Sequence, residues 1–257
     1  MKIVHSQLWK TETRTMRGVA LLAFCLAAVA AVPSTSRLSD KSLSTIDQYP
    51  SSASILSTWD DIALIYVCAG VIINNRSILT AGHCMYYRPP SQYRVRIGSS
   101  YTNSGGQVLP ALQLIIHPDF NDANLHSDLS IVRTPVFTYS HNIRPAPIAG
   151  YNLADDLNVW ATSWRQIEGD RQISEEQVVT ISNDLCRTRF DGIDAEVTSD
   201  VVCTRWPNQE FNGYCSGFGS GIYQSGILVA VHTNCFGSRP AINIRVANYT
   251  SWIQSNA

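Results

Sequence analysis

His83 closes the run Ser77-Ile-Leu-Thr-Ala-Gly-His83-Cys84, so an apolar strand ends on an imidazole and a cysteine follows directly. A base held in that way can activate a weak hydroxyl, provided that a carboxylate orients it and N–H donors meet the oxyanion. A histidine alone is more often packed core than catalyst, so its companions decide. Metal chemistry fits poorly: there is no CxxC pair, and the histidines do not fall at ligand spacing, so neither a metal nor a cofactor is expected. The Gly-rich stretch Gly217 to Gly221 looks superficially like a phosphate loop, yet no Lys-Ser/Thr follows it and no helix begins there. His117, His126, His141 and His232 show no partner in the sequence, and Trp160 and Trp164 read as core rather than as a ligand platform. Asn75-Arg-Ser and Asn248-Tyr-Thr are glycosylation sequons, although Asn75 abuts a strand and Asn248 suits a helix cap.

The 257 residues are 45% apolar and 15% charged with a net charge of −1, against about 25% charged in an ordinary domain. Disorder needs lower hydrophobicity or a larger net charge, and no basic excess is present to meet nucleic-acid phosphates. Of 19 basic residues only Lys2, Lys10 and Lys41 are lysine. Gly18 to Val32 forms one apolar run, with Arg14 and Arg17 before it and Pro33 after. It is shorter than the roughly 20 residues of a membrane span. Its basic flank and the small-x-small site Ala28-Val29-Ala30 describe a secretory signal over residues 1–30, with Met16 as a possible true start. Residues 31–37 then form a short propeptide and 38–257 the mature domain, which is secreted and meets no membrane after cleavage. Loss of Cys25 leaves an even set of cysteines, as a disulfide framework requires. Composition leaves the connectivity open; spacing groups them as Cys68 with Cys84, Cys186 with Cys203, and Cys215 with Cys235.

The elements that must position His83 are short strands. Runs rich in β-branched and aromatic residues cover Val71 to Ile73, Tyr93 to Ile97, Val108 to His117, Asp128 to Val132, and Val159 to Trp164. Further runs are Gln177 to Ile181, Val201 to Arg205, Ile227 to His232 and Ala241 to Val246. Tyr93-Arg-Val-Arg-Ile97 alternates apolar and basic residues, as in a strand with one face in a core. Turns such as Asn103-Ser-Gly-Gly106 punctuate the runs, which points to a sandwich or barrel. Helices are expected only at Asn183 to Phe190 and Tyr249 to Asn256. No repeat or linker interrupts the chain after residue 40.

The run ending at His83-Cys84, with Cys68-Ala-Gly-Val-Ile-Ile upstream, resembles the chymotrypsin-like serine proteases, whose base lies in a TAAHC motif. Thr45 to Pro50, Arg96 to Ser99, Ile115 to Pro118, Tyr151 to Asp155 and the ending Tyr249 to Ala257 look like the digestive trypsins of moths and butterflies. The resemblance spans about residues 37 to 257. It implies an all-β fold of two packed six-stranded antiparallel β-barrels with a C-terminal helix. It also implies that Asp128, in Asp128-Leu-Ser-Ile-Val, is the orienting acid.

The family's C-x-G-D-S-G-G-P signature is altered here to Cys215-Ser-Gly-Phe-Gly-Ser-Gly-Ile222. Counted from Cys215, Gly219 occupies the nucleophile's place and Phe218 that of the preceding aspartate, with Ser220 one position late and Gly217 the oxyanion remnant. Arg37-Leu-Ser-Asp-Lys41 replaces the family's R-IVGG activation site, and Gly213 falls where trypsins carry the specificity aspartate. Thr233-Asn-Cys235 is shorter than the family's substrate-pairing strand. An error near 1 Å already costs about a hundredfold in rate. These departures lead to the expectation of an inactive homologue, secreted into a compartment such as the gut lumen. Its partners would be proteins: proteases, protease inhibitors or cascade components. The alternative is an active secreted serine endopeptidase with a non-standard nucleophile loop.

Overall fold

Among the described residues the named strands pair antiparallel and fall into two sheets. The computed structural model describes residues 42–257 apart from 61, 168, 193–196, 210–212 and 214. The expected signal, the propeptide and the Arg37-Leu38 bond lie outside those residues. Among the described residues no helix is long and apolar enough to cross a membrane.

The strands are β1 (Ser42–Leu43), β2 (Ser52–Ser57), β3 (Ile65–Ile72), β4 (Ser77–Thr80), β5 (Tyr93–Ile97), β6 (Gln107–Pro110), β7 (Gln113–Ile116) and β8 (Ser130–Arg133). They continue with β9 (Asn158–Ile167), β10 (Asp170–Ile181), β11 (Val201–Arg205), β12 (Gly221–Gln224), β13 (Ile227–Asn234) and β14 (Ala241–Arg245). The second sheet runs β1-β10-β11-β14-β13-β12-β9, and β9 pairs back onto β10, so six of its strands close a barrel. The first sheet runs β6-β5-β2-β3-β4-β8-β7.

That first sheet differs from the expected closed six-strand barrel, because the run Val108 to His117 is two strands. Pro110 lacks the N–H that would continue the ladder. Immediately after it the pairing switches sides: Ala111 donates to Tyr93 O (3.1 Å), whereas Leu112 donates to Arg133 O (2.7 Å). The sheet therefore curls until two consecutive strands, β6 and β7, form its edges.

Helix α1 (Asn183–Arg189) begins at Ser182, whose hydroxyl accepts from Leu185 N, and Asp184 lies in its first turn. Both features satisfy the helix N-terminus. Helix α2 (Thr250–Asn256) ends where the Arg133 guanidinium donates to the Asn256 carbonyl at 2.8 and 3.2 Å. The three cysteine couples are disulfides, with Cα–Cα distances of 6.3, 6.3 and 5.3 Å.

Each sheet has its own core, but Val71, Leu79 and Ile131 of the first sheet, with Leu129 just before β8, belong to the cluster that fills the second. All four are fully buried, each such side chain contributing about 1.5–3 kcal/mol. This seam brings the C-terminal end of β4 and the N-terminal end of β8 against the second barrel. The turn carrying His83 follows the first, and Asp128 precedes the second.

Candidate active site

The structure brings His83 and Asp128 together. Asp128 is fully buried, and its carboxylate Oδ1 accepts the backbone N–H of His83 at 2.7 Å. Its Oδ2 lies 2.7 Å from His83 Nδ1. Two short bonds to the same residue fix both the turn and the imidazole ring, leaving Nε2 as the working nitrogen. The His83 side chain is 23% exposed. The chain enters Asp128 through a sharp turn in which Leu125 (φ 56°) and Ser127 (φ 49°) both take left-handed conformations. Each such non-glycine residue costs about 1–3 kcal/mol, and Ser127 is tied down by its hydroxyl bond to Tyr249 (3.1 Å). The Cys68–Cys84 disulfide flanks the base, with Cys84 Sγ 3.6 Å from His83 Nε2.

The loop from Cys215 to Gly221 faces this pair. Gly217 (φ 73°) and Gly219 (φ 85°) are in backbone conformations that L-residues rarely adopt. Gly219 donates to His232 O (2.7 Å), and a Cβ built on it would lie 2.2 Å from Thr80 Oγ1 and 2.3 Å from Ala69 O. A side chain at position 219 would thus point at the seam. The loop residue beside His83 is Phe218, whose ring meets the imidazole edge-on at 5.3 Å and stacks on His232 at 5.4 Å. Ser220 is 2% exposed, and among the described residues its hydroxyl has no hydrogen-bond partner. Gly217 uses its carbonyl to accept Ser220 N–H at 2.9 Å.

Gly213 packs so closely on Pro240 and Ala241 that a Cβ would fall 2.0 Å from Ala241 N. No carboxylate can be carried there in this conformation. The Thr233-Asn-Cys235 segment lies at the end of β13, whose register against β14 shifts between His232 and Asn234.

Side-chain partners that the sequence did not reveal also emerge. His232 is fully buried and bonded to Asn243 Oδ1 at 3.0 Å. Burial, opposed by that bond and reinforced by nearby His83, pushes its pKa down to about 4. It is therefore neutral beside Phe218 at any pH well above that value. His117 lies between the rings of Tyr249 and Trp252, and His141 pairs with Asp47. Trp164 is core, as expected, but Trp160 is 40% exposed, because it is an outward residue of β9.

A buried carboxylate gripping an imidazole at the seam of a closed antiparallel barrel and a curled antiparallel sheet defines the class of chymotrypsin-like serine proteases. The sequence model of the trypsin family matches residues 44–253, and the chain belongs to that family. It is 36% identical to trypsin CFT-1 of Choristoneura fumiferana over 252 residues, 93% of this chain and 98% of that protein. It is 38% identical to alkaline trypsin C of Manduca sexta with the same coverage. In fold it is similar to the scabies mite inactivated protease paralogue S-D1, with TM-score 0.73 and 19% identity, covering 85% of this chain and 96% of that one. A collagenase structure gives TM-score 0.70 and 22% identity, over 85% of this chain and 98% of that one. At such identities the two structures speak for the fold alone. The curated relatives overturn the expectation, drawn from the loop departures, that the chain is not an enzyme. They match nearly its full length and are named as trypsins.

Proposed function

We propose that the protein is a secreted serine endopeptidase of the trypsin family with a non-standard nucleophile loop. The observation that carries this reading is the His83–Asp128 pair, joined at 2.7 Å through a fully buried carboxylate. His83 is the base, Asp128 holds its tautomer, and Ser220 supplies the hydroxyl. Ser220 Oγ bonds to the scissile carbonyl carbon while His83 Nε2 takes its proton. The proton passes to the departing amine as the C–N bond breaks, and water repeats the sequence to free the acid and restore Ser220. For this the Gly217 to Gly221 stretch must turn Ser220 towards His83 and carry Phe218 off the imidazole. The buried hydroxyl without a partner supports such a second arrangement, since an unsatisfied polar group costs about 1–3 kcal/mol where it stands.

Specificity departs from that of trypsins in this reading, because Gly213 offers no charge to an arginine or lysine side chain. Secretion follows from the signal expected over residues 1–30. The scarcity of lysine suits an alkaline lumen, since arginine keeps its charge far above a lysine pKa of about 10.4. The Manduca relatives carry the word alkaline in their names.

The test is labelling of the purified secreted protein with a fluorophosphonate, alongside hydrolysis of a peptide library. Labelling and cleavage that both vanish in Ser220→Ala and in His83→Ala are expected. An unlabelled protein without peptidase activity, or activity that survives Ser220→Ala, overturns the assignment.

A further inference from the structure

Strand β12 leads away from the Ser220 loop, and at its far end a cavity of about 610 Å3 opens on the second barrel. Its walls come from the segment before β2, from β9 and β10, and from the β12–β13 hairpin; no residue of the His83 site takes part. The volume falls in the range of small-molecule sites, about 300–1,000 Å3.

Two kinds of group line it. Tyr49, Trp160 and Tyr223 supply aromatic surface. The Tyr49 and Tyr223 rings lie 5.6 Å apart at 49°, and the Tyr223 hydroxyl is anchored on Ser51 at 3.0 Å. Trp160 sits between the buried core residues Val159 and Ala161, so the alternation of β9 turns the indole outward. The second kind is hydrogen-bonding and planar: the amides of Gln48, Asn158 and Gln224 and the carboxylate of Glu175. Tyr49 donates its hydroxyl to Glu175, and burial together with that bond raises the phenol far above its ordinary range. Tyr49 therefore remains a fixed donor. Tyr151 donates to Gln224 Oε1 at 3.1 Å, which orients that amide and presents its NH2 group as a donor.

Those groups select against most ligand classes. An anion would meet a carboxylate, with no lysine or arginine in the wall. A purely apolar ligand would strip water from the amides and the carboxylate without replacing it. A ligand with an apolar face and a periphery of paired donors and acceptors uses both kinds of group. We propose that this cavity binds one or two units of a neutral saccharide. The sugar's C–H face would rest on Trp160, and its hydroxyls would reach Asn158, Glu175 and Gln224. The site is separate from the peptidase centre and does not depend on the reading given for it.

The test is calorimetric titration of the full mature chain with maltotriose, cellotriose and tri-N-acetylchitotriose, each a neutral trisaccharide. Tetramethylammonium forms a parallel arm, because an organic cation could also use the rings and the carboxylate. The expected result is saturable binding of at least one trisaccharide, about tenfold weaker in Trp160→Ala. Asn158→Ala, an exposed polar change that leaves the core untouched, should weaken it in the same direction. Three results overturn the proposal: no saturable binding of any trisaccharide, affinity unchanged in both variants, or tighter binding of tetramethylammonium than of every sugar. If Trp160→Ala does not fold, Asn158→Ala decides.

Discussion

A side chain added at Gly219 tests the geometry of the nucleophile loop directly. In Gly219→Ala the new methyl would meet Thr80 Oγ1 at 2.2 Å and Ala69 O at 2.3 Å. Those two atoms are themselves joined by a buried hydrogen bond of 2.7 Å. The backbone at φ 85° also disfavours any Cβ. Gly226 provides the control: its φ is 80°, yet a Cβ there meets nothing within 4 Å. The left-handed conformation alone should cost Gly226→Ala about 1–2 kcal/mol. Gly219→Ala adds overpacking and disruption of the Thr80–Ala69 bond, so about 3–6 kcal/mol in all is expected. Against a total stability of about 5–15 kcal/mol that loss is large. Urea unfolding of both variants, read as midpoints at constant m, isolates the difference. Equal losses in the two variants would refute the loop conformation described above. The same geometry forbids a simple repair: Phe218→Asp with Gly219→Ser should not produce trypsin activity, and efficient cleavage after arginine by that double variant would show that position 219 faces His83 after all.

Asp128→Asn should lower kcat by about 10,000-fold with little change in KM, since an amide cannot hold the imidazole in the tautomer that leaves Nε2 basic; steady-state kinetics with unchanged kcat would remove Asp128 from the mechanism. His232 gives the pH dependence. Its folded pKa of about 4 lies below its ordinary value of 6.5, so between those limits the unfolded chain binds a proton that the native one refuses. Its share of stability is intact above pH 6.5 and falls by up to about 3 kcal/mol as the pH drops towards 4. Denaturation curves at pH 7 and 4.5 should show the loss, and His232→Gln should flatten it. Replacing Cys186 and Cys203 together by alanine should cost about 3 kcal/mol by freeing a closed loop, visible as a lower thermal midpoint.

The strands that were readable from residue types are those with one polar face or a dense β-branched run. Tyr93–Ile97 and Val201–Arg205 appear in the structure with the expected ends. Strand β2, Ser-Ala-Ser-Ile-Leu-Ser, escaped because all six of its residues are buried. It lies between β3 and β5 with small side chains on both faces, so no alternation marks it. Strand β12 starts on a glycine of a Gly-rich stretch, which reads as turn. At the site, His83 and Asp128 were placed by the resemblance of the short motifs around them to the serine proteases, since residue type alone would leave the one a packed histidine and the other a strand-capping acid. The direction of the loop side chains was not. It depends on the signs of φ at Gly217 and Gly219 and on Phe218 packing between two histidines, edge-on to His83 and stacked on His232, the latter carrying no local signature in the sequence.

Retention of Asp128 itself bears on what the site is for. A fully buried carboxylate is costly to desolvate, and a well-packed apolar residue in such a place is often as stabilising or more so. Asp128 is approached through two strained residues, Leu125 and Ser127, which add to the cost without adding to the core. Packing alone would remove all three features. The stability of β8 needs none of them, because Leu129 and Ile131 already fill the seam. The Ser220 loop is tied to both sheets: to the second barrel through Cys215–Cys235 and the bond from Gly219 N–H to His232 O, and to the first through Ala69 N–H, which donates to Phe218 O at 2.8 Å. Ser220 takes no part in the 2.7 Å contact between His83 and Asp128, and under the proposed reading the energetic cost of holding that pair is accounted for by its role as base and orienting acid.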